Sequence, residues 1–88
     1  MPYALEISDA LDAKFKKMTA RERKRLNVII KKTEQILADP HHFKPLRGDM
    51  HGARRVHIDG SFVLTYEIDE ARKTVRLLDF DHHDKIYG

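Results

Sequence analysis

Residues 54–68 read RRVHIDGSFVLTYEI, and this stretch decides the fold. Val56 and Ile58 alternate with Arg55 and His57, the period-two pattern of a strand with one apolar face. Asp59-Gly60 follows, a pair that favours a tight hairpin because both positions accept positive φ. Phe62 to Ile68 answers as the second strand, with Phe62, Leu64, Tyr66 and Ile68 on one face and Val63, Thr65 and Glu67 on the other. Asp69 to Lys73 is a polar turn longer than two residues. Beyond it Val75, Leu77 and Leu78 mark a third strand running from Thr74 to Phe80, so the three strands form an antiparallel meander.

Working back from the hairpin, His41 to Ala53 has no periodicity and carries Lys44-Pro45, Gly48 and Gly52, so it reads as a loop, with Phe43 and Leu46 pinning it to the core. Asp39-Pro40 ends a helix whose apolar stripe is Leu26, Ile29, Ile30, Thr33 and Leu37. Thr19 to Glu22 has the form of a capping box and predicts that this helix starts there. A shorter helix precedes it, capped by Ser8 with Asp9 behind and carrying Leu11, Phe15 and Met18 on one face. Tyr3 to Ile7 alternates as a first strand. The order β-α-α-β-β-β predicts an α+β domain with a two-helix hairpin on one face of the meander. The first strand has to return to that sheet, at an edge or beside the last strand. The other face, carrying Arg55, His57, Thr65 and Glu67, stays open.

Eighty-eight residues make one domain, 1–88, with a single layer-on-layer core. Charged residues are 35% and hydrophobic residues 41%, the balance of a folded, highly charged domain. Without cysteine there is neither a disulfide framework nor a thiolate metal site. No apolar run approaches the ~18 residues of a membrane span, and no export signal is visible, so the expected compartment is the cytoplasm. The net charge of +3 conceals an asymmetry. From Lys14 to Lys32 nine bases face one acid, Glu22, a balance of +8; from Gly60 onward four bases face six acids, a balance of −2. Such a basic half suits a polyanion or an acidic protein partner, although a solvated helix face explains it too.

The last strand runs into Asp81-His82-His83-Asp84-Lys85-Ile86-Tyr87, a cluster that no core requires. Two imidazoles and a phenol at a strand end can move protons near neutral pH. The aspartates and histidines of this run also resemble a metal-ligand set, but neighbours on a strand point to opposite faces and cannot converge, so no metal and no cofactor is expected. His83 and Tyr87 also admit a plain reading, as surface groups closing the sheet.

The whole chain resembles the RelE/ParE superfamily of toxins from type II toxin–antitoxin modules, and most of all its RelE and YafQ branch. The residues that carry the resemblance are Pro45-Leu46-Arg47-Gly48, Gly52, Arg54 to Ile58, Leu64 to Ile68 and the ending His83-Asp84-Lys85-Ile86-Tyr87-Gly88. The family's fold is the one derived above. The resemblance implies a ribosome-dependent mRNA endonuclease that needs no metal and that is held inactive by an acidic, partly disordered antitoxin. It places the catalytic group at His83 and the substrate-contacting aromatic at Tyr87, matches His57 to a strand histidine of YafQ-like toxins, and sets Arg55 where related toxins carry an aspartate or lysines. Lys44 falls where relatives have an ionisable residue. Val63 stands where the RelE branch has a phosphate-holding arginine, and Ser61 replaces an acid of the YafQ branch.

Cleavage of RNA through its own 2′-OH needs a base for that proton, an acid for the leaving 5′-oxygen and cations for the crowded phosphorane. Histidine serves as either acid or base, and arginine grips phosphate with a fork of donors. The expected catalytic set is His83, Tyr87, His57 and Arg55. Lys44, Arg47, Arg54 and His82 are expected to bind substrate phosphate. Lys17, Arg21, Lys24, Arg25, Lys31 and Lys32 are expected to grip the ribosome, with mRNA on the open face. No membrane role is expected. The alternative is a binding module of the same fold without catalysis, either a ParE-like topoisomerase inhibitor or an inactive antitoxin-binding homologue.

Overall fold

The computed structural model describes residues 3–44 and 52–87, the side chain of Tyr87 excepted. The elements run β1 (Ala4–Ile7), α1 (Asp9–Lys17), α2 (Lys24–Ala38), β2 (Ala53–Ile58), β3 (Phe62–Asp69), β4 (Thr74–His82) and α3 (His83–Tyr87). The sheet order is β1-β4-β3-β2. β2, β3 and β4 form the antiparallel meander, and β1 lies parallel to β4 at the edge.

The hairpin forms as its sequence dictates. Asp59 and Gly60 have φ of 53° and 72°, and Ile58 pairs with Phe62. α1 packs over β4 and α2 over β2. Their apolar sides meet the sheet in one core of Leu11, Ile29, Ile36, Val56, Ile58, Leu64, Tyr66, Val75, Leu77 and Phe80. Phe43 packs against this core, its ring edge-on to Tyr66 at 6.4 Å. Ser8 caps α1 by accepting from the Leu11 N–H, and its hydroxyl donates to the Leu78 carbonyl. That carbonyl lies where β4 has outrun the four residues of β1.

The structure corrects three expectations. The Thr19 cap does form, its Oγ1 accepting from the Glu22 N–H at 3.2 Å, but regular α2 begins at Lys24. The next N–H groups of Arg25 and Leu26 reach back three residues, to Glu22 and Arg23, and hold a tighter turn. Second, Ile30 is not in the buried stripe: it is 53% exposed, and Ile36 takes the core position instead. Third, the face away from the helices is not open along its length. Val63 and Thr65 are fully buried, because the longer side chains of Arg55 and His57 flank them on one side and those of Asp79 and Asp81 on the other. A bulge at Thr65/Tyr66 resets the register with β4 and keeps Leu77 and Phe80 both facing the helices.

The chain does not end as a strand. The N–H of His83 donates to the Ser61 carbonyl, and one helical turn, α3, follows with Asp84 in its first turn.

Candidate functional site

β2 and α3 bring the two candidate imidazoles together. His57 stands on the sheet face away from the helices, since Val56 and Ile58 on either side of it are buried. Its ring stacks on that of His83, with centroids 6.0 Å apart and planes 23° from parallel. Both rings are exposed to solvent. The stack forms because the His83 N–H is fixed to the Ser61 carbonyl in the β2–β3 turn, which swings the start of α3 over the end of β2. Arg55 lies two residues before His57 and so shares its face. Position 87 is four residues beyond 83 in α3, on the same side of that helix.

Lys44 closes the other side of this region. Its carbonyl accepts from the Arg55 N–H at 3.1 Å, which ties the loop after α2 to the outer edge of β2. The result is a groove of about 360 Å³ lined by Lys32, His42, Phe43, Lys44, Arg55, Val56 and His57. Lys32 therefore contributes to this groove and not to an outer helix face alone.

Other expected residues go elsewhere. Arg54 faces the opposite side of β2 and donates to the carbonyls of Phe43 at 2.6 Å and His41 at 3.4 Å, so it secures the loop. His82 packs on Phe62, ring centroids 5.0 Å apart, on the side of β4 opposite the imidazole stack. Arg25 lies over the Phe62 ring at 4.2 Å, and its Nε is 3.5 Å from Asp59 without hydrogen-bond geometry. Lys17, Arg21, Lys24 and Lys31 are exposed on the helices. Arg47 lies outside the described residues, as do Leu46 and the side chain of Tyr87.

Two charged clusters brace the site without entering it. Lys14 donates to Asp79 at 2.6 Å, to Asp81 at 2.8 Å and to the Phe80 carbonyl at 3.2 Å, and so covers the free end of the β4 edge. Burial opposes charge on Lys14, but the bonds to both aspartates outweigh it and raise its pKa; Lys14 in turn lowers that of Asp81. Glu70 accepts from Lys73 at 2.8 Å, His41 at 2.5 Å and Tyr3 at 2.8 Å. These bonds, led by Lys73, hold its carboxyl at a pKa of about 2. Among the described residues no three His, Cys, Asp or Glu side chains gather as a metal site would require.

On the other flank of α2 lies a second concavity of about 370 Å³. Leu5, Ile7, Phe15, Leu26, Ile30 and Leu37 line it, and Glu34 is its one charged neighbour among the described residues. It contains Leu5, Ile7 and Ile30, large apolar side chains that are 44%, 38% and 53% exposed. Sequence reading missed this trough. The signal was present in Ile30 and in the short β1, but only the pairing of β1 with β4 shows that nothing within the described chain covers them.

The family model of the ParE toxin of type II toxin–antitoxin systems, parDE, matches residues 3–87. A protein of Methanocaldococcus jannaschii that carries the toxin name RelE4 is 49% identical over 85 residues, covering 97% of this chain and 90% of its own length. The toxin–antitoxin complex RelBE2 of Mycobacterium tuberculosis contains a chain that superposes with a TM-score of 0.75 at 25% identity, over 94% of this chain and 93% of that one. The isolated E. coli RelE toxin superposes with a TM-score of 0.71 at 20% identity, over 97% and 90% of the two chains, a likeness of fold.

Proposed function

The chain belongs to the ParE toxin family of type II toxin–antitoxin systems, within the RelE/ParE superfamily, and from that premise we propose that it is a ribosome-dependent mRNA endonuclease acting in the cytoplasm. The observation that carries this reading is the stacked pair His57 and His83 beside Arg55 on one exposed face. Two imidazoles 6.0 Å apart can each address one of the two oxygens flanking a single phosphorus. His57, neutral, takes the proton of the 2′-OH, and the 2′-oxygen attacks the phosphorus. His83, protonated, gives its proton to the departing 5′-oxygen. The products are a 2′,3′-cyclic phosphate and a 5′-hydroxyl, and the two histidines have exchanged protonation states. Arg55 stabilises the phosphorane charge in place of the arginine whose position Val63 occupies. Tyr87, one turn beyond His83, stacks on a neighbouring base.

The exposed basic helix residues Lys17, Arg21, Lys24 and Lys31 grip ribosomal RNA in this reading. An acidic antitoxin restrains the protein by laying an apolar helix into the trough beside Ile30 or by adding a strand to the outer edge of β1. The experiment is to add the protein to a translation extract and map message ends: breaks inside translated codons, absent with His83→Ala, support the reading, and intact messages at high dose refute it.

The ParE name of the matching family model favours one further reading, an inhibitor of a topoisomerase. A supercoiling assay separates the two. Inhibition of the topoisomerase that survives His83→Ala, with translation untouched, selects this second reading.

A further inference from the structure

We propose that the groove beside β2 is a binding subsite for the phosphodiester next to the one cleaved, with Lys32 and His42 as its positioning residues. This rests on the nuclease reading for its substrate. Lys32, Lys44 and Arg55 are cations and His42 and His57 are imidazoles, and among the described residues no carboxylate lines the groove. The trough across α2 has the opposite character, apolar side chains and one glutamate. A cavity of about 360 Å³ holds a nucleotide-sized group.

The groove is built in advance of any ligand. Its outer wall, the segment after α2, is held by three separate hydrogen bonds to backbone carbonyls. The Tyr66 hydroxyl donates to Pro40 at 2.6 Å, Arg54 donates to Phe43 at 2.6 Å, and the Arg55 N–H donates to Lys44 at 3.1 Å. Phe43, half-buried, supplies apolar surface beside the cations, as a chain of bases and phosphates requires. Continuity fixes the occupant. The groove ends at His57, whose ring stacks on His83, so a strand with its scissile phosphate at the imidazole pair runs over the edge of β2 into the groove. Arg55, which serves the scissile phosphate, also lines the groove, so the two sites are contiguous along β2. An acidic protein segment would find the same charge but would gain nothing from that alignment with the imidazoles.

The test uses a fluorescent 2′-O-methyl RNA hexanucleotide, which cannot be cleaved and carries no ribosomal contacts. Its affinity is measured by anisotropy across a series of KCl concentrations. Lys32→Ala and His42→Ala should each weaken binding several-fold, and Lys32→Ala should make the slope of log affinity against log salt shallower by about 0.7. Lys16→Ala, which removes a cation that faces Asp12 away from the groove, should change affinity less than twofold. In the translation extract, Lys32→Ala and His42→Ala should raise the dose for half-maximal cleavage while leaving the maximal rate. Wild-type cleavage with hexanucleotide binding indifferent to Lys32 and His42 overturns the subsite and leaves the nuclease reading in place. Hexanucleotide binding that depends on both residues, with no message cleavage by the wild type, sustains the subsite and removes the nuclease reading. A groove that binds a poly-glutamate peptide and not the hexanucleotide overturns the proposal in favour of a protein partner.

Discussion

The two flanks of α2 have almost equal hollows and opposite chemistry. Toward β2 the groove is about 360 Å³, basic, and walled by a loop fastened through hydrogen bonds. Toward β1 the trough is about 370 Å³, apolar, and walled by packed helix and strand side chains. One helix therefore separates a surface suited to a polyanion from a surface suited to an amphipathic partner. The cause lies in sheet order: β2 and β1 are the two edges, and α2 spans the space between them. If the proposed nuclease and antitoxin roles hold, activity and restraint can be altered separately, and the largest effects should respect that division.

His83→Ala removes one of the stacked imidazoles, and general acid–base groups of this kind are worth ~10²–10⁴ in rate. Mapped message breaks should fall by at least about a hundredfold, while affinity for the antitoxin should stay within twofold. Loss of both together would show that the two flanks are one surface. The converse substitution is Ile30→Asp. Ile30 is 53% exposed, so the fold should tolerate the change. A charge in the centre of an apolar contact should cost ~2 kcal/mol or more of partner affinity. Titration with the cognate antitoxin checks this, with message cleavage unchanged.

How much of this division could be read in the chain depended on whether it was local. The hairpin was legible because Asp59-Gly60 has to adopt positive φ, and both residues do. The α+β order followed from alternation, and the resemblance named His57 and His83 as candidates; that their rings stack is shown by the structure alone. The trough was not legible, because Ile29 and Ile30 are neighbours at the rim of one helical stripe and either could face inward. The four-residue length of β1 decides it, by leaving Ile30 uncovered. The burial of Val63 and Thr65 was equally hidden, since it depends on the long side chains that register places beside them. α3 is one turn, too short for propensity to announce. Lys32 and His42 meet in the groove only once the segment after α2 is fastened beside β2 by the bonds of Tyr66, Arg54 and the Arg55 N–H, which no periodicity encodes.

The hydrogen-bonded wall of the basic groove gives a smaller effect, on stability. Tyr66 is fully buried and donates to the Pro40 carbonyl at 2.6 Å. Tyr66→Phe leaves that carbonyl unpartnered at ~1–3 kcal/mol, and thermal unfolding should show it. Burial raises the Tyr66 pKa to about 12, above its ordinary 10.0. Its neutral form is therefore favoured by folding, so this contribution is complete below pH 10 and lost as pH rises toward 12. The deficit of Tyr66→Phe should accordingly shrink across that window. The same substitution should weaken hexanucleotide binding in the groove and leave partner binding in the trough untouched, since only the former depends on the wall at Pro40.

The smallest effect belongs to Glu70, which fastens the same wall from the surface by gathering Lys73, His41 and Tyr3. Its folded pKa of about 2 lies below the ordinary 4.5. A depressed carboxylate stabilises the fold above the unfolded pKa, and that contribution disappears as pH falls from 4.5 toward 2. Glu70→Gln should therefore lower the melting temperature slightly at pH 7, with the gap to the wild type closing through that acid window. Because the cluster is solvent-exposed, added salt should narrow the gap as well. A gap that persisted unchanged at pH 2 would mean that the Glu70 side chain acts through packing and not through its charge. The groove wall would then depend on the bonds from Tyr66, Arg54 and the Arg55 N–H, and its contrast with the apolar trough would be one of hydrogen bonds without a surface ionic contribution.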